Sequence, residues 1–462
     1  MNKSAGTIER VGVLTPLGML GAGFDPATVE RGLSLGADVI TVDGGSTDSG
    51  PFYLGAGRAK TAAAAVSRDL RILLTACATA GIPLVIGSCG TSGTDSGVDW
   101  VGGMVDAIMR EEGLDLKVAR IYSEQKAGFL KKQLAAGKIH PLAPMGELDA
   151  STLDECAHIV GMMGHEPFVE ALRAGADVVL AGRATDTAVA AAVPLMLGMP
   201  AGPTWHAAKI VECGGQCTTD PKSGGVFATI DRNGFEIEPL DPDTSCTPIS
   251  VAAHMLYETV DPFVMREPAG TIDVTDATYT ALDSRRVRVG GSRFIDADQH
   301  TIKLEGAKVV GYETMSFAAI RDPHIIGRID EWVAFMNKIL TERVAHTLGL
   351  EPSEYEYDLR LYGHSAILDD IEPADVPCRE IGVMLLVRAG EQATATSIAK
   401  FANPLLLHLP LPDMKYLPSF SFATSPAEVE RGPVYEFALN HVVDVDSPTG
   451  MFRVTQLEAS SA

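Results

Sequence analysis

Two loops rich in glycine, hydroxyl and carboxylate groups are the first places in this sequence where chemistry could be done. One runs Asp43-Gly44-Gly45-Ser46-Thr47-Asp48-Ser49-Gly50, the other Gly87-Ser88-Cys89-Gly90-Thr91-Ser92-Gly93-Thr94-Asp95. Each ends a short apolar run and precedes a helical pattern. Glycine opens backbone angles closed to other residues, and such a loop ahead of a helix start presents N–H groups to an anion. On this reading Gly44, Gly45, Ser46, Thr47, Ser88, Gly90 and Thr91 bind the substrate, and backbone N–H groups of the Gly44-Gly45 and Gly90 loops stabilise an oxyanion. Asp43, Asp48 and Asp95 would repel phosphate and suit bases, acceptors or ligands for a hard cation such as Mg²⁺. Neither loop has the Gly-Lys-Ser/Thr ending of a phosphate loop or the spaced glycines of a dinucleotide fingerprint. The plainer alternative is two tight turns whose Ser, Thr and Asp cap the following helices.

A third loop, Gly182-Arg183-Ala184-Thr185-Asp186, follows another apolar run. An arginine just past a buried strand holds a carboxylate in a bidentate pair, and Asp186 either orients that arginine or caps the next helix. Further on, His206, Lys209, Glu212 and Cys213 fall on a helical pattern that stops at Gly214-Gly215. Asp43, Asp48, Asp95, Glu124, His206 and Glu212 are the candidates for moving a proton, with the pKa tuned by burial. Cys213 and Cys217 lack the second pair of a zinc motif, and no set of metal ligands is assigned. His165-Glu166 stands before a helix start. His254, His324, His364, His408 and His441 show no metal spacing, and no Gly-x-Ser-x-Gly nucleophile elbow is present.

The elements that must position these residues alternate in the first half. Apolar runs at 11–15, 37–42, 82–86, 117–122 and 176–181 are separated by helical stretches at 61–80, 100–112, 124–136 and 167–174. Near-continuous apolar strands alternating with helices predict a mostly parallel, doubly wound α/β sheet over residues 1–216, favoured over an eightfold barrel. Such sheets place their sites just beyond the strand ends, where the polar loops fall. Residues 217–306 read as a β-rich extension of that domain. Residues 307–462 read as a ferredoxin-like α+β domain in the order β-α-β-β-α-β.

Composition narrows the function classes. The 462 residues carry a formal charge of −23 spread along the chain, without a Lys/Arg block, which argues against nucleic-acid binding. No apolar run reaches the roughly 18–20 residues of a membrane span. Seven scattered cysteines suit free thiols in a reducing compartment, and the polar start lacks a secretory core, so cytoplasm is expected.

Several segments together resemble the acyclic terpene utilisation (AtuA-like) family. They are Gly36-Ala37-Asp38 leading to Asp43 through Pro51, Gly161-Met162-Met163-Gly164, and Gly175-Ala176-Asp177-Val178-Val179 with Ala181-Gly182-Arg183. His206 with Glu212-Cys213-Gly214 continues the likeness, as do Gly432-Pro433-Val434-Tyr435-Glu436-Phe437 and Asn440-His441-Val442. The resemblance implies an α/β domain joined to a smaller α+β domain, and a setting in catabolism of branched or terpenoid carboxylic acids or their CoA thioesters. The expected activity is hydration, elimination or isomerisation next to the carbonyl, with Arg183 holding the carboxylate and no cofactor required. Hydrolysis by a carboxylate- or metal-activated water, and a non-catalytic acyl-binding subunit, are the alternatives. The partner is a small carboxylate or acyl-CoA, with a homo-oligomer expected.

Overall fold

The apolar runs of the first half become parallel strands because each is followed by a helical return to the same edge of the sheet. The computed structural model describes residues 8–222, 224–367 and 378–457. In it Arg10–Thr15, Val39–Asp43, Leu84–Gly87, Val178–Ala181 and Val118–Tyr122 lie side by side in that order, all parallel. Their residues alternate between two cores. Val13, Val39, Val85 and Val179 pack into one, and Leu14, Ile40, Ile86 and Leu180 into the other. The sheet is therefore covered on both faces, and the helices Ala63–Ala80 and Asp95–Glu112 supply much of the second core.

The strands of this sheet drawn from residues 1–216 are all parallel, and antiparallel strands from later in the chain make the whole sheet mixed. Val226–Asp231 joins Arg10–Thr15 antiparallel, followed outward by Gly234–Pro239, Val287–Gly290 and Thr278–Ala281. On the opposite flank Arg453–Leu457 lies antiparallel to Val118–Tyr122. Ten strands result, five of them parallel neighbours. Val226–Asp231 with Gly234–Pro239, and Thr278–Ala281 with Val287–Gly290, are hairpins with short turns, a connection that permits only antiparallel pairing.

The chain divides into two units, Met1–Lys308 with Phe437–Ala462 and Val309–Glu436. The long strands Thr301–Ile320 and Glu428–Asp444 carry the chain between them. Within the first unit the opening of Thr301–Ile320 pairs antiparallel with Cys156–Met162, a strand that the apolar pattern did not mark, and this register sets Glu305 opposite Val160. In the second unit the sheet order is Tyr355–Tyr362, Ile381–Ala389, Thr301–Ile320, Glu428–Asp444. Its core joins Trp332, Met336, Leu340 and Val344 from the helix Ile329–Leu348 to Ile398, Ala399 and Ala402 from Gln392–His408. Among the described residues no helix is long and apolar enough to cross a membrane.

Glycines at the strand ends let three loops touch backbone to backbone. Gly93 has φ +66°, and a Cβ there would lie 2.1 Å from the Arg183 nitrogen. A Cβ on Gly182 would lie 2.4 Å from Ser123 Oγ. Gly93→Ala is thus expected to lower unfolding stability by roughly 2 kcal/mol or more, through backbone strain and overpacking together. Urea unfolding read by circular dichroism checks it, and an unchanged midpoint would show that the contact relaxes freely.

Candidate functional site

Arg183 leaves the strand Val178–Ala181 with its backbone already fixed, since its N–H donates to Ser123 Oγ at 2.8 Å and to the Gly93 carbonyl at 3.2 Å. The side chain turns into the protein and is buried. Nε donates to Glu305 Oε2 at 2.9 Å, and Nη1 to Ser88 Oγ at 3.3 Å and the Ala184 carbonyl at 3.2 Å. Asp186 Oδ1 stands 3.5 Å from Nη1. Ser88 holds its hydroxyl there from a strained backbone, with φ +46°. Lys303 donates to the other Glu305 oxygen at 2.8 Å. Burial pushes the Glu305 carboxyl up, but Arg183 and Lys303 outweigh it and hold the group at about 2.

Asp43 ends its strand beside this guanidinium. Its Oδ1 is inaccessible and has no hydrogen-bond partner. Burial, followed by the charge of Asp186, raises its pKa well above the carboxylate range, against the opposing effects of the Gly45 N–H and Arg183. Three more carboxyls complete the group. Burial raises Asp186 to about 6 in spite of Arg183. It raises Glu212 to about 8 although the Lys209 ammonium pairs with Glu212 Oε1. Glu267 accepts from Thr187 Oγ1 at 2.6 Å and Thr185 Oγ1 at 2.8 Å, yet burial takes it to about 7. Five carboxyls thus face three cations, Arg183, Lys209 and Lys303. Burial and this surplus of negative charge raise four of the five carboxyls, the condition that suits general acid–base chemistry.

The other sequence candidates fall in different places. The Asp95 N–H donates to Glu124 Oε1 at 3.0 Å and the Glu124 N–H to Asp95 Oδ1 at 3.1 Å, and Glu124 Oε1 meets His158 Nδ1 at 2.9 Å. That group is half-buried, and none of these contacts is to Arg183 or its carboxyls. Asp48 is exposed and bonded to Ser46, which caps the turn Thr47–Ser49, although its charge acts on Asp186. Thr91 Oγ1 accepts from the Lys60 N–H. The Gly44 N–H is taken by the Gly87 carbonyl and the Gly45 N–H by Asp43, so neither is free for an oxyanion. Gly90, at φ +71°, packs against Gly97. His206 does not join the carboxyls. It lies buried between Ser292, Tyr279 and Phe235, and burial pushes it down to about 3, which makes it a neutral core residue.

Sequence reasoning brought Asp43, Ser88, Arg183, Asp186 and Glu212 together and missed Glu267, Lys303 and Glu305. The i, i+3 spacing of Lys209 and Glu212 was a usable signal for their ion pair. Glu305 lies in a strand whose alternation says only which face it occupies.

The pH dependence of stability follows from Glu267. Its folded pKa lies above its ordinary value, so its contribution is full below about 4.5 and is lost as the pH rises through about 7. The neighbours facing it are the Thr185 and Thr187 hydroxyls, Asp186 and Lys209. Glu267→Gln is expected to match the wild type at pH 5 and to exceed it by ~1–3 kcal/mol at pH 8. Denaturant unfolding at both pH values checks this; equal stability at pH 8 would refute the buried-proton assignment.

A family model described as acyclic terpene utilisation family protein AtuA matches residues 56–411. No curated protein and no solved structure matches the chain.

Proposed function

Since the chain belongs to the acyclic terpene utilisation (AtuA) family, we propose that it is a catabolic enzyme acting on a small branched or terpenoid carboxylic acid or its CoA thioester. The reaction proposed is proton transfer next to the carbonyl, as in hydration, elimination or isomerisation. The observation that carries this reading is the Asp43 Oδ1 atom, buried and without a partner beside a buried guanidinium. A carboxylate stripped of solvent is a stronger base than a hydrated one, and a fixed cation beside it stabilises the enolate-like charge that deprotonation creates.

The roles follow from the contacts. Glu305 takes Arg183 Nε, while Ser88 and Ala184 take Nη1. The Nη2 edge, bonded to none of the described residues, faces the substrate carboxylate or thioester oxygen. Asp43 removes or returns the proton. Asp186 and Glu267, at about 6 and about 7, exchange protons with it near neutral pH. Arg183 stays protonated throughout, because Glu305 and Asp186 outweigh its burial.

Deuterium uptake at the carbon next to the carbonyl tests the reaction, measured by mass spectrometry on branched acids and acyl-CoA thioesters incubated with the protein in heavy water. The wild type is expected to catalyse exchange, and Asp43→Asn to lose roughly 10²–10⁴-fold in rate while still binding the ligand. Arg183→Met should raise KM as well as lower the rate. Full exchange in both variants would remove the site from the reaction. Release of free CoA without exchange would assign hydrolysis instead, and tight binding with neither would assign an acyl-binding subunit.

A further inference from the structure

A second kind of donor set stands at the end of the helix Ala201–Val211, where Glu212 and Cys213 meet His254 from the turn His254–Leu256. A carboxylate oxygen of Glu212, the Cys213 sulfur and a ring nitrogen of His254 all lie within 4.8 Å of one another. His254 is only 4% exposed, and its Nε2 is buried without a hydrogen-bond partner. The ring bonds the Lys209 main chain, which by elimination engages Nδ1 and leaves Nε2 as the free lone pair. Metal-binding histidines are oriented in this way, one nitrogen donating to a carbonyl or carboxylate and the other directed at the ion. Stacking on Tyr257, with ring centroids 5.6 Å apart, fixes the plane of the imidazole.

We propose that Glu212, Cys213 and His254 bind a single Zn²⁺ ion. One sulfur, one nitrogen and one oxygen suit a borderline-soft ion and do not suit Mg²⁺, which takes oxygen ligands. From this mutual spacing the three donors would close on the ion to bonds of about 2.0–2.3 Å. Three protein ligands leave the fourth tetrahedral position open, the pattern of zinc sites that hold a water or substrate oxygen. Lys209 keeps one Glu212 oxygen and leaves the other for the ion. The Asp186 carboxyl acts electrostatically on both Glu212 and Cys213, so the ion would adjoin the carboxyl group described above. The inference concerns metal binding and stands without the reaction proposed for that group.

Cobalt(II) is the test probe, added to the full chain after chelator treatment and then displaced by zinc(II). The expected result is one equivalent bound, with a thiolate-to-cobalt charge-transfer band and the visible bands of tetrahedral coordination. Cys213→Ser should abolish the charge-transfer band, and His254→Gln should weaken zinc binding by at least about tenfold. Cys156→Ser and Cys378→Ser should retain both. Differential alkylation located by mass spectrometry gives an answer without any variant, since zinc should protect Cys213. Absence of the band in the wild type, its survival in Cys213→Ser, or alkylation of Cys213 unaffected by zinc would each overturn the assignment.

Discussion

The buried pair between Arg183 and Glu305 is the interaction on which the rest of the site depends. A guanidinium and a carboxylate each lose several kcal/mol of hydration on burial, and only close, well-bonded pairing returns it. Here the pairing is fixed by five residues besides the pair itself. The backbone of Arg183 is held by Gly93 and Ser123, its side chain by Ser88 and Ala184, and its counter-ion by Lys303. Removing Glu305 would leave a charge that no other described residue contacts as closely. The loops after three parallel strands are therefore locked in register by one cation, and the close glycine contacts at 93 and 182 are what let that cation reach them.

Once Arg183 is committed to Glu305, the remaining carboxyls are short of positive charge. Asp43, Asp186, Glu212 and Glu267 share Lys209 and the outer face of the guanidinium. Burial alone would raise each of them; the charge of Asp186 raises Asp43, Glu212 and Glu267 further, and Glu258 and Asp48 raise Asp186. The result is a separation by environment: one carboxyl lowered to about 2 and others raised to between about 6 and about 8. A surplus of this kind can be met by protons, by a bound cation, or by both in different parts of the group. Asp43 lies in reach of the Arg183 guanidinium and Glu267 is bonded to two threonine hydroxyls, whereas the Glu212 end has the sulfur and nitrogen that a soft cation prefers.

How much of this was legible in the sequence depends on how far apart the interacting residues lie along the chain. The parallel strands were readable because five-residue apolar runs recur between helical stretches, and the polar loops after them were readable as strand ends. Asp43, Ser88, Arg183 and Asp186 are all found there. The conformation of the glycine-rich loops was not legible: the Gly44 N–H bonds the Gly87 carbonyl and the Gly45 N–H bonds Asp43, pairings that only the folded chain defines. His206 was grouped with Lys209 and Glu212 by helical spacing, but that helix is buried all round, so spacing could not say which residues turn toward the carboxyls. Glu305 and Glu267 had no local signal at all, since each reaches the site through a strand pairing that only the folded chain defines.

The β-rich segment after residue 217 is the part whose contribution was hardest to foresee, and it matters beyond extending the sheet. The parallel strands supply the floor of the site, as α/β sheets do at their carboxyl ends. Its roof needs chain that returns over those ends, and the helical crossovers are already committed to covering the two faces. The stretch between Gly234–Pro239 and Thr278–Ala281 provides that chain. It leaves the sheet edge, places His254 beside Cys213, then forms the hairpin of Val264–Glu267 and Gly270–Asp273 that delivers Glu267 to the Thr185 and Thr187 hydroxyls. Antiparallel flanking strands are thus the physical means by which a parallel sheet gains a second wall. The two walls differ in chemistry: an arginine–carboxylate floor, and a roof that contributes His254 and Glu267.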